Sequence, residues 1–391
     1  MQHRKIDLLS LVPDELEKVL SAHFVKRDQP SYRVRQTCDW IFEECVASID
    51  DMTNLPQGER EALASAFILE DPIAEQVSLS SDRTVKHLWK LSDGQLIESV
   101  LIPSRERLTL CISSQAGCAM GCTFCATGWA GFRRHLTAGE IVSQYRASRR
   151  WAQENDYNRI SNVVYMGMGE PLSNRKALHP SLTILNQGYG VGARRITVST
   201  VGVVPGILEL AERPEQFRLA VSLHSPVSEL RQELIPLEKR YPLDELMEAL
   251  RQFDQAGGRR ITFEYTMIRG INDAPELAPK LAALASSLDA FVNLIPFNSI
   301  PYQKWTASRG GRIEEFRSVL AARGVAVAVR VPRGRDIAAA CGQLRADALE
   351  AAVPEAAAPE AAVLEAAASN PVSESGKIYV HPVSHGSTGT A

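Results

Sequence analysis

The stretch "QAGCAMGCTFCATGW", residues 115–129, sets Cys118, Cys122 and Cys125 in a C-x3-C-x2-C spacing. A zinc knuckle or ribbon pairs one C-x2-C with a second such pair or with histidines, which this loop lacks. The four-cysteine ferredoxin spacings do not fit either. Three thiolates from one loop hold three irons of a 4Fe-4S cluster and leave the fourth iron open to a small molecule. A structural zinc loop is the competing reading.

Outward from the loop, the pattern becomes strand, loop, helix, repeated. Apolar, β-rich runs occur at "LTLCISS", "ISNVVYMG", "RRITVSTVG", "FRLAVSLHS", "RITFEYTMI" and "FVNLIPFN", with "GVAVAVRVP" as a further edge strand. Amphipathic stretches such as "LTAGEIVSQYRASRRWA" and "PLDELMEALRQFDQ" lie between them. Six βα units predict an α/β fold, a partial (β/α)6 barrel over residues 107–345. Polar or glycine-rich loops follow the strands, where barrel chemistry gathers. A three-cysteine cluster loop after the first strand points to radical S-adenosylmethionine chemistry. Phe124 is placed to pack beside the adenine of that cofactor, and "GMGEP" offers Gly167 and Gly169 for close backbone approach, with Glu170 accepting from an ammonium group.

Upstream, residues 1–75 show helical periodicity and predict a small N-terminal domain. Residues 76–106 alternate with turn signals and predict a β-hairpin extension. The tail, 346–391, is rich in Ala, Glu and Pro and reads as disordered. The chain of 391 residues carries a formal charge of −3, unevenly spread. The tail alone is −5, whereas residues 301–345 are +6, a balance suited to a polyanion met at one face. No apolar run approaches the ~20 residues of a membrane span. The N-terminal stretch lacks a signal peptide's apolar region, so a cytoplasmic protein with reduced thiols is expected.

Several long motifs, in order, carry a resemblance: "QTCDWIFE", "MTNLP", "LCISSQAGCAMGCTFCATGWAGFRRHLTAGEIV", "VVYMGMGEPL", "RRITVSTVGVVP", "AVSLHSP", "NLIPFN" and "RDIAAACGQL". Across residues 1–345 the chain resembles the RlmN/Cfr family of radical SAM RNA methyltransferases. The resemblance implies that Cys118, Cys122 and Cys125 ligate one 4Fe-4S cluster. It implies that Gly169, Glu170, Ser199, Ser222, Leu223, His224 and Asn298 line the S-adenosylmethionine site, two cofactor molecules being used per turnover. It also implies that Cys341 takes up a methyl group, that the methyl carbon then adds to an adenine, and that Cys111 assists proton removal and forms a disulfide with Cys341 to release the RNA. On its own residues Cys341 reads as a small buried hydrophobe. Glu98 matches a proton acceptor, although an isolated Glu in an alternating strand is more often solvated. Cys38 and Cys45, seven apart, read as packing residues on one helix face.

The implied activity is methylation of carbon 2 of adenine 2503 in 23S rRNA, with adenine 37 of tRNAs as a second target. The rival is carbon 8 of the same adenine, and a different class is a non-catalytic iron-sulfur RNA-binding protein. A monomer is expected, with a reductant such as flavodoxin or ferredoxin and no membrane partner. The N-terminal domain is expected to grip RNA, with Arg133, Arg134, His135, Arg330, Arg333 and Arg335 as phosphate contacts.

Overall fold

The computed structural model describes residues 5–257 and 260–344; the tail expected to be disordered lies outside the described residues. The N-terminal helices Pro13–Val25, Tyr32–Asp39 and Gln57–Ala66 enclose a core of their own. In the first, Leu16, Leu20 and Phe24 recur every fourth residue and are buried, as one helix face requires. A short parallel pair, Ile6–Asp7 with Phe67–Ile68, joins the two ends of this unit.

The unit is fastened to the rest by arginines on the long helix Ala138–Glu154. Arg146, fully buried, donates to the carbonyls of Ile41 and Val46 and to the Tyr189 hydroxyl, and pairs with Asp71 at 3.0 Å. Arg149 and Arg150 donate to the carbonyls of Phe42, Glu43 and Cys45. These carbonyls end the π-helical turn Trp40–Glu44, so cations satisfy acceptors that the helix leaves open. The turn also corrects one expectation. Cys45 lies past the helix end at φ +58° and packs in the barrel core, while Cys38 packs in the N-terminal core.

The main sheet has ten strands. Arg107–Cys111, Ile160–Tyr165, Ile196–Thr200, Arg218–Ser222, Ile261–Met267, Phe291–Pro296 and Val327–Val329 are parallel and lie in sequence order, which makes six βα units and an edge strand. From the Arg107–Cys111 side the sheet continues antiparallel through Leu96–Ser104, Val85–Lys90 and Ile73–Leu79. The extension is therefore a three-stranded meander and not a hairpin. Its outermost strand is exposed on nearly every residue, so the sequence shows no alternation there.

The C-terminal segment 330–344 spans from the Val327–Val329 edge to the extension. Ser80 donates to Asp336 at 2.6 Å, the Ser81 amide to the same carboxylate at 3.0 Å, and the Gly334 amide to Asp82 at 3.2 Å. The barrel is thus partial, and a segment with only one short 3-10 turn, Arg335–Ile337, crosses its mouth.

Candidate active site at the strand ends

One cavity lies among the C-terminal ends of the parallel strands, with about 950 Å³ of space including its opening to solvent. Cys118, Cys122 and Cys125 all line it. Their loop is braced by its own small hairpin, Gln115–Gly117 against Phe132–His135. Gly117 has φ +75°, and a Cβ there would lie 1.9 Å from the Gly131 carbonyl oxygen, so no other residue fits. The Cys118 amide donates to that same oxygen at 2.9 Å. Burial raises the thiols of Cys118 and Cys122, with like charge from neighbouring cysteines and Glu170 adding to the effect. Arg231, itself buried and paired with Glu238, pulls Cys122 the other way. Three thiols on one cavity wall, two of them raised by desolvation, fit a metal-sulfur centre that supplies the charge itself. Among the described residues no three His, Cys, Asp or Glu side chains are grouped to grip a single ion.

The glycines of "GMGEP" face the cysteine loop. A Cβ on Gly167 would meet the Ile112 carbonyl oxygen at 2.6 Å, and one on Gly169, at φ +97°, would meet the Gln115 side chain at 2.5 Å. Close packing between adjacent strand ends explains both. Glu170 follows, lining the cavity. Its carboxylate accepts from the amides of Leu172 and Val201, each at 2.9 Å. Burial pushes its pKa up to about 7, against the pull of the Val201 and Leu172 amides and the Thr200 hydroxyl.

Ser199, Ser222, His224 and Asn298 line the cavity too. His224 adopts φ +56°, and its Nδ1 accepts from the Thr266 amide at 2.9 Å, which leaves Nε2 to carry the proton of the neutral ring. Burial, then Arg231, lowers its pKa to about 3. Its ring meets Phe124 edge-on at 4.3 Å. Leu223 is fully buried in the core and lies outside the cavity lining, and its amide donates to the Glu264 carbonyl.

Cys341 is exposed and lines the cavity beside Gly342. Its carbonyl accepts from Asn298 Nδ2 at 3.1 Å, and the Gly342 carbonyl accepts from the Ala126 amide at 2.7 Å. Cys111 comes from the far end of the sequence, at the end of the first barrel strand, and is buried. Burial and the nearby Cys341 push its thiol up to about 12, while Arg330 pulls it down. Arg330 in turn is raised by Cys341, Glu264 and Cys111, burial opposing them.

Glu98 stands apart from the cavity lining. It is 1% exposed and forms an ion pair with Lys86 at 2.9 Å across the extension, where the two strands register. Lys86 also reaches the Ala338 carbonyl at 3.5 Å. Through Lys86 the ion pair reaches the segment that carries Cys341. Arg134 is likewise engaged, in ion pairs with Glu140 and Asp93, and Arg335 donates to Asn298 at 2.8 Å. Arg333 lies 3.7 Å from Asp82. Glu264, not among the residues singled out from the sequence, also lines the cavity, accepts from Asn293 at 2.9 Å and leaves Oε2 without a hydrogen-bond partner among the described residues. A lone acid inside "ITFEYTM" was the available signal.

Comparison with known proteins agrees with this geometry. Residues 112–278 match the model of the Radical SAM superfamily, and residues 6–69 match that of the ribosomal RNA large subunit methyltransferase N-terminal domain. A probable dual-specificity RNA methyltransferase RlmN of Gemmatimonas aurantiaca is 47% identical, over 89% of this chain and 95% of its own length. The chain belongs to the RlmN family of radical SAM RNA methyltransferases. A dual-specificity RNA methyltransferase RlmN of Anaeromyxobacter dehalogenans is 44% identical over 87% of the chain and 92% of its own length. The crystal structure of a radical SAM methyltransferase from Sphaerobacter thermophilus is 45% identical and superposes with a TM-score of 0.83, covering 87% of this chain and 99% of that one. Radical SAM proteins use a 4Fe-4S cluster and S-adenosylmethionine, and RlmN enzymes use a second S-adenosylmethionine as methyl donor. No helix among the described residues is long and apolar enough to cross a membrane.

Proposed function

We propose that the protein methylates carbon 2 of adenine 2503 in 23S rRNA, and of adenine 37 in tRNAs, with Cys341 as the thiol that carries the methyl group. The observation that carries this reading is that Cys341 and Arg330 line the same cavity as the three loop cysteines, with Cys111 near enough for both to act on its thiol.

Cys118, Cys122 and Cys125 would hold the cluster, and Gly169, Glu170, Ser199, Ser222 and His224 would surround the S-adenosylmethionine. When bound, the pair supplies the methyl group and the one-electron chemistry that an electron-poor ring carbon demands. The remaining roles fall to this chain. Asn298 fixes the Cys341 main chain through its amide donor, so the thiol is presented at a set depth. Cys111, desolvated and held largely protonated, stays inert until Cys341 is linked to RNA. Once the proton on the methylated ring carbon is removed, Cys111 would attack the Cys341 sulfur. The S–S bond forms as the bond from that sulfur to the RNA-bound methylene breaks, and the released carbon takes the electron pair and a proton to become the methyl group. The disulfide is left for an external reductant such as flavodoxin or ferredoxin to return to two thiols. The Arg330 charge favours the ionised form of either thiol.

Anaerobic turnover of reconstituted protein on rRNA fragments, followed by nucleoside mass spectrometry, tests the reading. A 2-methyladenosine product is expected. An 8-methyladenosine product overturns the regiochemistry, and retained methylation in Cys341→Ala overturns the carrier role.

A further inference from the structure

Two exposed aromatic side chains lie face to face beside the cavity mouth. Trp129 ends the short helix Ala126–Trp129, directly after the cavity-lining Gly128, and Tyr302 follows the cavity-lining Asn298 on the loop after the Phe291–Pro296 strand. Their ring centroids are 5.6 Å apart at 16°, a stacked pair, yet each residue is more than a third exposed, at 38% and 37%. The Trp129 indole N–H is already satisfied by the Thr123 carbonyl at 3.1 Å, which fixes the ring and leaves its π face as the group on offer. An exposed indole held in this way serves no packing purpose of the core.

The surrounding charge is a second and separate observation. The Tyr302 loop is seamed to the end of the Ile261–Met267 strand: Ile268 bridges Ala307, the Arg269 amide donates to the Thr306 carbonyl at 3.0 Å, and the Ser308 amide donates to the Met267 carbonyl. The seam gathers Arg269, Lys304 and Arg309, all exposed and without an ion pair among the described residues. The neighbouring acid Asp273 is occupied by the Gly270 amide at 2.8 Å. By contrast, Arg134, Arg312 and Arg317 are each bound to a carboxylate. A stacking surface flanked by unpaired cations is the composition that holds single-stranded nucleic acid by its bases and backbone without reading sequence.

We propose that Trp129 and Tyr302 form a ledge on which an unstacked base flanking the target adenine lies, with Arg269, Lys304 and Arg309 on the adjoining phosphates. The proposal rests on RNA being the substrate. An adenine drawn out of a folded RNA into the cavity leaves its neighbours unstacked, and a π face at the rim replaces the stacking they lose.

Reconstituted holoprotein would be titrated with an RNA stem-loop carrying adenine in the loop and with a fully duplex RNA of equal length. Trp129 lies four residues from a cavity cysteine, so Tyr302 carries the main test. Tyr302→Ala is expected to weaken stem-loop binding about 5-fold or more, Tyr302→Phe to restore it, and duplex binding to stay within ~2-fold. Quenching of tryptophan fluorescence on stem-loop binding is expected to shrink in Trp129→Leu. Replacing Arg269, Lys304 and Arg309 together by Gln is expected to lower the slope of log K against log salt by ~2. Wild-type stem-loop affinity and KM in folded Tyr302→Ala, with methylation intact, overturns the ledge and leaves the proposed function standing. Stem-loop binding that depends on Tyr302, without methylation by the wild type, overturns the proposed function and leaves the ledge standing.

Discussion

The cysteine loop and the segment 330–344 both deliver thiols to one cavity, by opposite means. The loop is held locally: its hairpin is closed within about twenty residues, and Gly117 and Gly131 touch at a spacing no side chain would permit. The C-terminal segment has almost no regular structure and is held by residues far off in sequence, Ser80, Ser81, Asp82, Lys86, Ala126 and Asn298. A centre that must only be held suits a loop braced by its own hairpin. A thiol that must be linked to a substrate and released suits a segment whose position is set by many separable contacts. That division ties folding to function: local contacts build the cofactor end, and long-range contacts build the substrate end.

The sharpest way to break the comparison is at the thiols. Cys341→Ala is expected to abolish RNA methylation, read by nucleoside mass spectrometry, with an unchanged thermal midpoint because the residue is exposed. Cys122→Ala is expected to abolish activity and also iron content, read by metal analysis.

Next in size is the support beneath the C-terminal segment. Glu98→Gln leaves Lys86 as an uncompensated buried charge and is expected to cost about 3–5 kcal/mol by denaturant unfolding. Glu98→Gln combined with Lys86→Met is expected to recover most of that stability and at least part of the methylation. Complete loss of activity in the stable double variant would return Glu98 to the role of a proton acceptor.

Asn298→Ala removes one tether of the Cys341 loop and should lower turnover by about 10- to 100-fold at nearly unchanged stability, since small misplacements of a reacting group cost that much. Gly117→Ala reverses the pattern: steric conflict at a left-handed position should cost at least about 2 kcal/mol, seen as a fall in thermal midpoint along with cluster loss.

The smallest effect concerns the sheet that carries Lys86. His87 is fully buried, stacked on Trp89 at 4.6 Å and edge-on to Trp151, with neither ring nitrogen bonded, and burial lowers its pKa to about 4. The unfolded chain therefore binds a proton near pH 6.5 that the folded protein refuses until about pH 4. Stability from this group is complete above pH ~6.5 and is lost progressively as the pH falls toward 4. His87→Phe should flatten that part of the stability curve in thermal melts across the range.

Much of this was legible in the sequence for a physical reason. The βα rhythm is periodic burial written locally, so six strands and their loops could be read before any coordinates. The spacing of Cys118, Cys122 and Cys125 exposes its chemistry because all three lie on one loop. The outermost strand, Ile73–Leu79, was hard to read because it buries neither face. The surroundings of Leu223 and Glu98 were not legible because a residue's neighbours across a sheet are invisible along the chain. Cys45 was misplaced because a left-handed residue ended its helix early.

The sequence by itself determined the parallel barrel and the three-thiol loop, since both follow from contacts between residues close in the chain. Only the tertiary structure decided that Cys111 and Cys341 share Arg330, that Glu98 is bound by Lys86, and that Trp129 meets Tyr302 at the mouth. Those juxtapositions depend on how distant strands register and where a nearly structureless segment is tied, and no local pattern of side chains encodes them.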